Sequence, residues 1–220
     1  MDQQRTVREL FFYMLSISDG ASKDQIGCIF WPESSTAQRN QQFKNAIYRL
    51  RRSVGQETIL YDPNSHRYYF NPHLKVRYDV AIFLALTQQA EREDNPERRT
   101  TLLRKAVKLY RHPYAPILDG VWVEPIRRNL YLMFERAALE IAEIDLQRGN
   151  IQTCLETCRL VVGYEPGQER AWRICMRAFA EQGDRTGITR VYRQCRKNLN
   201  RYLGVQPSPE TESLYRILIN

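Results

Sequence analysis

Apolar residues recur at three- and four-residue steps through most of this chain, the spacing that lines one face of an α-helix. Over Thr6 to Ile17 this pattern predicts a first helix, which Ser18-Asp19-Gly20 ends. Ser22 and Gln25 then fit a capping box, because a serine hydroxyl can accept from an early backbone N–H while the glutamine reaches back. We therefore predict a second helix over Lys23–Phe30.

A third helix and a pair of strands follow. Ser34-Ser35-Thr36 offers caps, and helical spacing of apolar residues continues until Gly55, which predicts a helix at about 36–54. After it, β-branched and aromatic residues at 57–61 and 66–70 flank turn-forming residues at 62–65, which is typical of a β-hairpin. Three helices and a hairpin give the order of a winged helix-turn-helix, whose third helix enters the major groove.

From Asp79 onward the pattern is helical throughout. Gly149-Asn150 and Gly183-Asp184 lie 34 residues apart, which is the period of the tetratricopeptide helix pair. The predicted fold class is mainly α: a winged helix-turn-helix domain at 1–78 with a C-terminal hairpin wing, then an all-α tetratricopeptide-like domain at 79–220. The helices of the second domain are predicted at about 79–94, 96–111, 122–148, 151–164, 167–182, 184–202 and 209–219.

The third predicted helix carries an unusual charge pattern. From Ser34 to Gln56 there is no acidic residue, whereas five are Lys or Arg. Phe43 and the other apolar positions fall on one side, and amide, hydroxyl and cationic groups fall on the other. Such groups bond base edges and phosphate oxygens, so double-stranded DNA is the expected partner. The candidate DNA-binding residues are Gln38, Gln41, Lys44, Asn45, Tyr48, Arg49, Arg51 and Arg52, with His66, Arg67 and Tyr68 from the hairpin.

The composition is typical of a protein that binds polyanions and does not span a membrane. Thirty-three Lys and Arg against 25 Asp and Glu leave a formal charge of +8. The longest apolar run, Val80 to Leu86, is far shorter than the roughly 20 residues that a membrane helix needs. Met1-Asp2-Gln3-Gln4 does not resemble the start of a signal peptide. We expect a cytoplasmic protein without membrane contact.

Motifs for catalysis or metal binding do not occur. The histidines, His66, His73 and His112, are far apart, and the sequence has no Cys-x-x-Cys pair, phosphate-binding glycine loop or nucleophile elbow. The five cysteines lie in apolar stretches, which predicts reduced, buried thiols. Cys154 and Cys158 share a helix face and are interpreted as packing residues. We therefore expect no enzyme activity, no catalytic residue, no metal and no cofactor.

At this point the chain resembles the bacterial transcriptional activator family of the antibiotic-regulatory-protein type, in which a winged helix is joined to a helical activator domain. The motifs that carry the resemblance are Leu10-Phe-Phe-Tyr-Met-Leu15, Trp31-Pro32, Arg39-Asn40, Ala46-Ile-Tyr-Arg-Leu-Arg-Arg52, Trp122-Val-Glu-Pro125, Arg136 through Arg148-Gly149, and Leu203-Gly-Val-Gln-Pro-Ser-Pro-Glu-Thr211. The resemblance implies an activator that binds promoter repeats as a homodimer and recruits RNA polymerase.

One departure from the family leaves alternatives open. Members usually begin with a small antiparallel sheet, whereas here the first predicted helix starts within a few residues of Met1. The chain is then either a segment of a larger regulator or a trimmed form, and part of the first helix should be uncovered, with exposed members among Leu10, Phe11 and Phe12. The rival function is a helical-repeat protein-interaction module with weak or no DNA binding of its own.

Overall fold

A computed structural model describes residues 3–220, which form two compact units. The first unit contains the chain up to Tyr78 together with His112–Leu130, and the second contains Asp79–Arg111 and Tyr131–Asn220. The molecule is mainly helical with one small antiparallel sheet. In the described chain, every helix is too short or too polar to cross a bilayer.

Three helices form the first part of unit one: α1 (Gln3–Ser16), α2 (Lys23–Phe30) and α3 (Thr36–Val54). The capping box predicted for α2 is confirmed, with Ser22 and Gln25 bonding each other's backbone N–H groups. A second capping box starts α3, where Ser35 pairs in the same way with Gln38. Each box satisfies N–H groups that the first helical turn leaves unpaired, so both helices begin where the sequence specifies.

A 3₁₀ turn at Gln56–Thr58 leads from α3 into the second strand of a three-stranded sheet. Its strands are β1 (Ala21–Ser22), β2 (Ile59–Asp62) and β3 (Arg67–Phe70), in the order β1-β3-β2 with both pairs antiparallel. The predicted pairing of β2 with β3 is confirmed, whereas β1 was not predicted. Gly20 allows β1 to reach β3: its φ is +65°, and a Cβ there would lie 2.5 Å from the Tyr68 carbonyl oxygen.

The apolar side of α1 is covered, so the expectation of exposed residues among Leu10, Phe11 and Phe12 is wrong. Leu10 is fully buried, and the two phenylalanines are half-buried. The Phe11 ring packs edge-on against Phe70 of β3, and the Phe12 ring packs against Tyr114. The cover therefore comes from segments later in the chain.

Part of that cover is the segment 112–130, which the sequence analysis assigned to the second domain. The Trp122 ring lies 5.3 Å from that of Tyr13, and Asp119 pairs with Arg5 at 2.8 Å. A linear boundary after residue 78 could not anticipate this return, because the packing partners are about a hundred residues apart in the chain. The first unit is consequently built from two separate segments.

The second unit is all-helical. Its predicted helices are confirmed to within two residues at each end: α4 (Asp79–Arg92), α5 (Pro96–Leu109), α6 (Val123–Gln147, which begins in unit one), α7 (Ile151–Tyr164), α8 (Glu169–Glu181), α9 (Arg185–Leu203) and α10 (Pro209–Ile219). Gly149 and Gly183 have positive φ in the turns before α7 and α9, and Ser208 caps α10. Four cysteines are buried as expected, but Cys28 is exposed, so that part of the thiol prediction is wrong.

Candidate nucleic-acid interface

Helix α3 is amphipathic, and its two faces have separate environments. Phe43, Ala46, Ile47 and Leu50 are buried, and α3 packs on α1 and α2. This packing fixes the orientation of the helix and leaves its polar face outward. Seven of the eight candidate residues on α3 are exposed, namely Gln38, Gln41, Lys44, Asn45, Tyr48, Arg49 and Arg52.

Amide groups on this face already bond one another in part. The Gln38 side-chain oxygen accepts from the Ser35 backbone N–H at 2.9 Å, as the capping box requires. One turn further on, Gln41 Nε2 donates to Asn45 Oδ1 at 3.2 Å. A base edge could replace the second bond, since both amides are exposed, whereas replacing the first would leave the Ser35 backbone N–H at the start of the helix unpaired. Gln41 and Asn45 are therefore better placed for base contact than Gln38.

Arg51 differs from its neighbours because its side chain forms hydrogen bonds within the protein. Its side chain is half-buried and donates from Nε and Nη2 to the Ile59 carbonyl oxygen, at 3.2 and 2.6 Å. Arg39 acts similarly, donating to the carbonyl oxygens of Trp31 and Pro32. Among the five cations of this stretch, Lys44, Arg49 and Arg52 are the exposed ones.

The hairpin also divides its three candidates. Arg67 Nη1 donates to the backbone oxygens of Asp19 and Gly20 at 3.1 and 3.2 Å, so it ties the hairpin to the turn before β1. The Tyr68 ring lies 4.8 Å from Phe43, and burial raises the pKa of its hydroxyl. His66 is exposed at the hairpin tip with φ +54°. The hairpin thus presents His66 and holds Arg67 and Tyr68 in structural contacts.

Three exposed side chains on or next to the hairpin are absent from the residues predicted from sequence. Tyr61 is 44% exposed, and its hydroxyl lies 3.0 Å from His66 Nδ1. Lys75 and Arg77, in the segment after β3, are also exposed. The two cations could have been found from their position directly after the predicted hairpin. Tyr61 could not, because alternation alone does not say which face of a short strand is covered.

The chemistry of this surface suits binding to a polyanion. It offers ammonium, guanidinium, amide and hydroxyl donors, and the helix that carries it has no carboxylate. Over residues 3–220 no group of three His, Cys, Asp or Glu side chains is placed to hold a metal ion. The arrangement can bind phosphate and base edges through hydrogen bonds and charge.

Comparisons with known proteins indicate that the chain is similar to transcriptional regulators. A family model described as the bacterial transcriptional activator domain matches residues 78–218. The regulatory protein AfsR of Streptomyces griseus is 23% identical over 198 residues, covering 86% of this chain and 20% of that protein. The chain therefore spans about a fifth of the length of this curated relative.

A solved structure shares the fold. EmbR of Mycobacterium tuberculosis, determined in complex with a low-affinity phosphopeptide, has a TM-score of 0.75 and 18% identity, covering 98% of this chain and 59% of that one. At this identity the likeness concerns the fold.

Proposed function

The chain belongs to the bacterial transcriptional activator domain family, and from this premise we propose that it is a sequence-specific DNA-binding transcriptional activator. The observation that carries the proposal is the exposed, acid-free face of α3 on a buried apolar back. Three helices followed by the β2–β3 hairpin support a winged helix-turn-helix arrangement with α3 as the recognition helix.

Two kinds of contact are assigned to this helix. Gln41, Asn45 and Arg49 bond base edges, because amides and guanidinium groups match the donor and acceptor patterns of the major groove. Lys44 and Arg52 bond phosphates, with the Tyr48 hydroxyl as a further donor. At the hairpin, His66 is the candidate for backbone contact. Four other candidates stabilise the conformation of this surface through contacts within the protein, namely Gln38, Arg51, Arg67 and Tyr68.

The remaining parts of the proposal rest on the family resemblance. The helical second unit is a tetratricopeptide-like domain that provides protein contacts, including the recruitment of RNA polymerase. Promoter sites are repeated, and the protein binds them as a dimer, since two copies on adjacent repeats double the contact surface.

Salt dependence tests the phosphate contacts. Binding of a duplex is measured by fluorescence anisotropy across a range of salt concentrations for the wild type and for Lys44→Ala/Arg52→Ala. Each lost phosphate contact should make the log–log slope shallower by about 0.9, so the double variant should change it by about 1.8. Arg98→Ala/Lys105→Ala, which removes two exposed cations of α5, is the matched control and should keep the slope within about 0.5.

Sequence readout is tested separately. Selection of bound duplexes from a random pool gives the preferred site, and Asn45→Ala should relax the preference at one base pair by about 1 to 3 kcal/mol. Salt-independent affinity, or an α3 double variant that binds like the wild type, would contradict the assignment of α3. Absence of duplex binding even at low salt would instead favour the protein-interaction module.

A further inference from the structure

Helix α9 of the second unit carries a second concentration of positive charge. From Arg185 to Pro209 the sequence holds six Lys or Arg residues and no acidic residue. Four of these cations follow one another at steps of three, four and four residues, which places them along one side of the helix. With a rise of 1.5 Å per residue, they form a ridge about 16 Å long. This basic ridge consists of Arg190, Arg193, Lys197 and Arg201.

All four side chains of the basic ridge are exposed. Among residues 3–220, none of them pairs with a carboxylate, whereas Arg190 lies over the Phe179 ring and Arg201 over the Tyr202 ring. Other arginines of the same unit do form ion pairs. These pairs are Arg99 with Glu140, Arg104 with Asp145, Arg136 with Glu91, Arg170 and Arg177 with Glu143, Arg173 with Glu210, and Arg216 with Glu212.

The unpaired ridge works against helix stability. Like charges at three- and four-residue spacing repel each other by about 0.2 to 0.5 kcal/mol per pair. The opposite side of α9 is fixed in the core through Ile188, Val191, Cys195 and Leu199, which are buried. The ridge is therefore held rigidly outward, and no contact within the described chain neutralises it.

We propose that the basic ridge binds the phosphate backbone of duplex DNA without reading its sequence. Duplex DNA carries one charge per roughly 1.7 Å of axis, so a 16 Å ridge lies alongside several phosphates at once. This site goes beyond the function proposed above, because it lies in the second unit and does not depend on α3.

An acidic protein surface is the less favoured partner. Exposed ion pairs are worth only about 0 to 1 kcal/mol each, so a protein partner needs an apolar seam beside the charges. The open groove next to the ridge, of about 600 Å³, is lined by Arg, Lys, Thr and Gln side chains, with Ile219 as its apolar member. Binding to a duplex needs no such seam, since the release of counterions drives it.

The test replaces the ridge in the full chain by Arg190→Gln/Arg193→Gln/Lys197→Gln/Arg201→Gln. Glutamine keeps helix propensity, and circular dichroism with thermal melting checks that the variant is folded. The matched control is Arg92→Gln/Arg98→Gln/Lys105→Gln/Lys108→Gln, which removes four exposed cations from α4 and α5 and lowers the +8 charge by the same amount. Both are titrated with a duplex of arbitrary sequence over a range of salt concentrations.

We expect the ridge variant to make the log–log salt slope shallower by about 1.8 to 3.6, the value for two to four lost contacts. The control should keep the slope of the wild type. The charge-conserving variant Arg190→Lys/Arg193→Lys/Arg201→Lys should retain most of that slope. Equal slopes for the ridge variant and the wild type would overturn the proposal. Equal losses in the ridge variant and the control would also overturn it, because net charge would then explain the binding.

Two further experiments distinguish DNA binding by the ridge from DNA binding by α3 and from binding of an acidic protein. A ridge variant that keeps its preference for the selected site, beside an α3 variant that loses it, shows that the two sites act separately. If only α3 matters, the ridge proposal fails while the proposed function stands. Polyglutamate serves as the acidic peptide, and loss of its binding with an unchanged duplex slope would overturn the ridge proposal in favour of a protein partner.

Discussion

Arg51 donates two hydrogen bonds to the Ile59 carbonyl oxygen and so ties the last turn of α3 to the first residue of β2. Arg52, the next residue, is exposed on the face proposed for DNA. Two adjacent arginines with the same charge therefore have different roles.

The first prediction follows from this difference. Arg51→Ala should lower the free energy of unfolding by about 1.5 to 3 kcal/mol, because the buried Ile59 carbonyl loses a charged donor. Arg52→Ala should stay within about 0.5 kcal/mol of the wild type. Urea denaturation followed by circular dichroism measures both. Equal stability of the two variants would show that the Arg51 bonds contribute nothing.

The second prediction concerns Arg127 in the returning segment. Its guanidinium donates to the carbonyl oxygens of Tyr114, Ala115 and Leu118 at 2.7, 2.5 and 2.6 Å. Arg127→Ala should cost at least about 2 kcal/mol, since three carbonyls lose a charged donor. Hydrogen exchange should speed up over residues 112–122.

Arg128, the next residue, is exposed and provides the control. Arg128→Ala should leave both the free energy of unfolding and the exchange rates nearly unchanged. Unchanged exchange in the Arg127 variant would mean that packing alone holds the segment.

The third prediction concerns pH. Burial by itself raises the pKa of Glu169, but hydrogen bonds from Thr211 and Ser208, together with the Arg173 charge, outweigh it and hold the pKa below its ordinary value. A lowered pKa in the folded state means that the charged carboxylate stabilises the fold. This stabilisation is complete above the pKa of the unfolded chain and is lost as the pH falls through the folded-state pKa.

Glu169→Gln tests that sign. At neutral pH it should destabilise the protein by about 1 kcal/mol, because Ser208 loses a charged acceptor for its backbone N–H and its hydroxyl. The difference from the wild type should shrink as denaturation is repeated at pH values falling below about 4. A difference that stays constant over this range would contradict the role of the charge.

Local patterns predicted most of the secondary structure. Ser22, Ser35 and Ser208 mark helix starts through bonds to residues three positions away, and such bonds can be inferred from sequence. Strand β1 could not be inferred, because Ala21–Ser22 carries no pattern of its own and pairs with residues more than forty positions later.

The candidate site was predictable as a surface but not residue by residue. Charge and periodicity located the polar face of α3, and the structure exposes it. Arg51 and Arg67 bond carbonyl oxygens that the tertiary fold brings close to them. Residue spacing in the sequence does not indicate where those oxygens lie. A half-buried arginine and an exposed one have the same letter in a sequence.

The return of residues 112–130 to unit one affects the order of folding on the ribosome. Tyr13 and Arg5 are synthesised about a hundred residues before Trp122 and Asp119, which complete their surroundings and follow α4 and α5 in the chain. Synthesis proceeds at roughly 5 to 20 residues per second, so several seconds separate the synthesis of α1 from that of these partners. Unit one, which carries the proposed DNA-binding face, is therefore completed only after α4 and α5 have been synthesised.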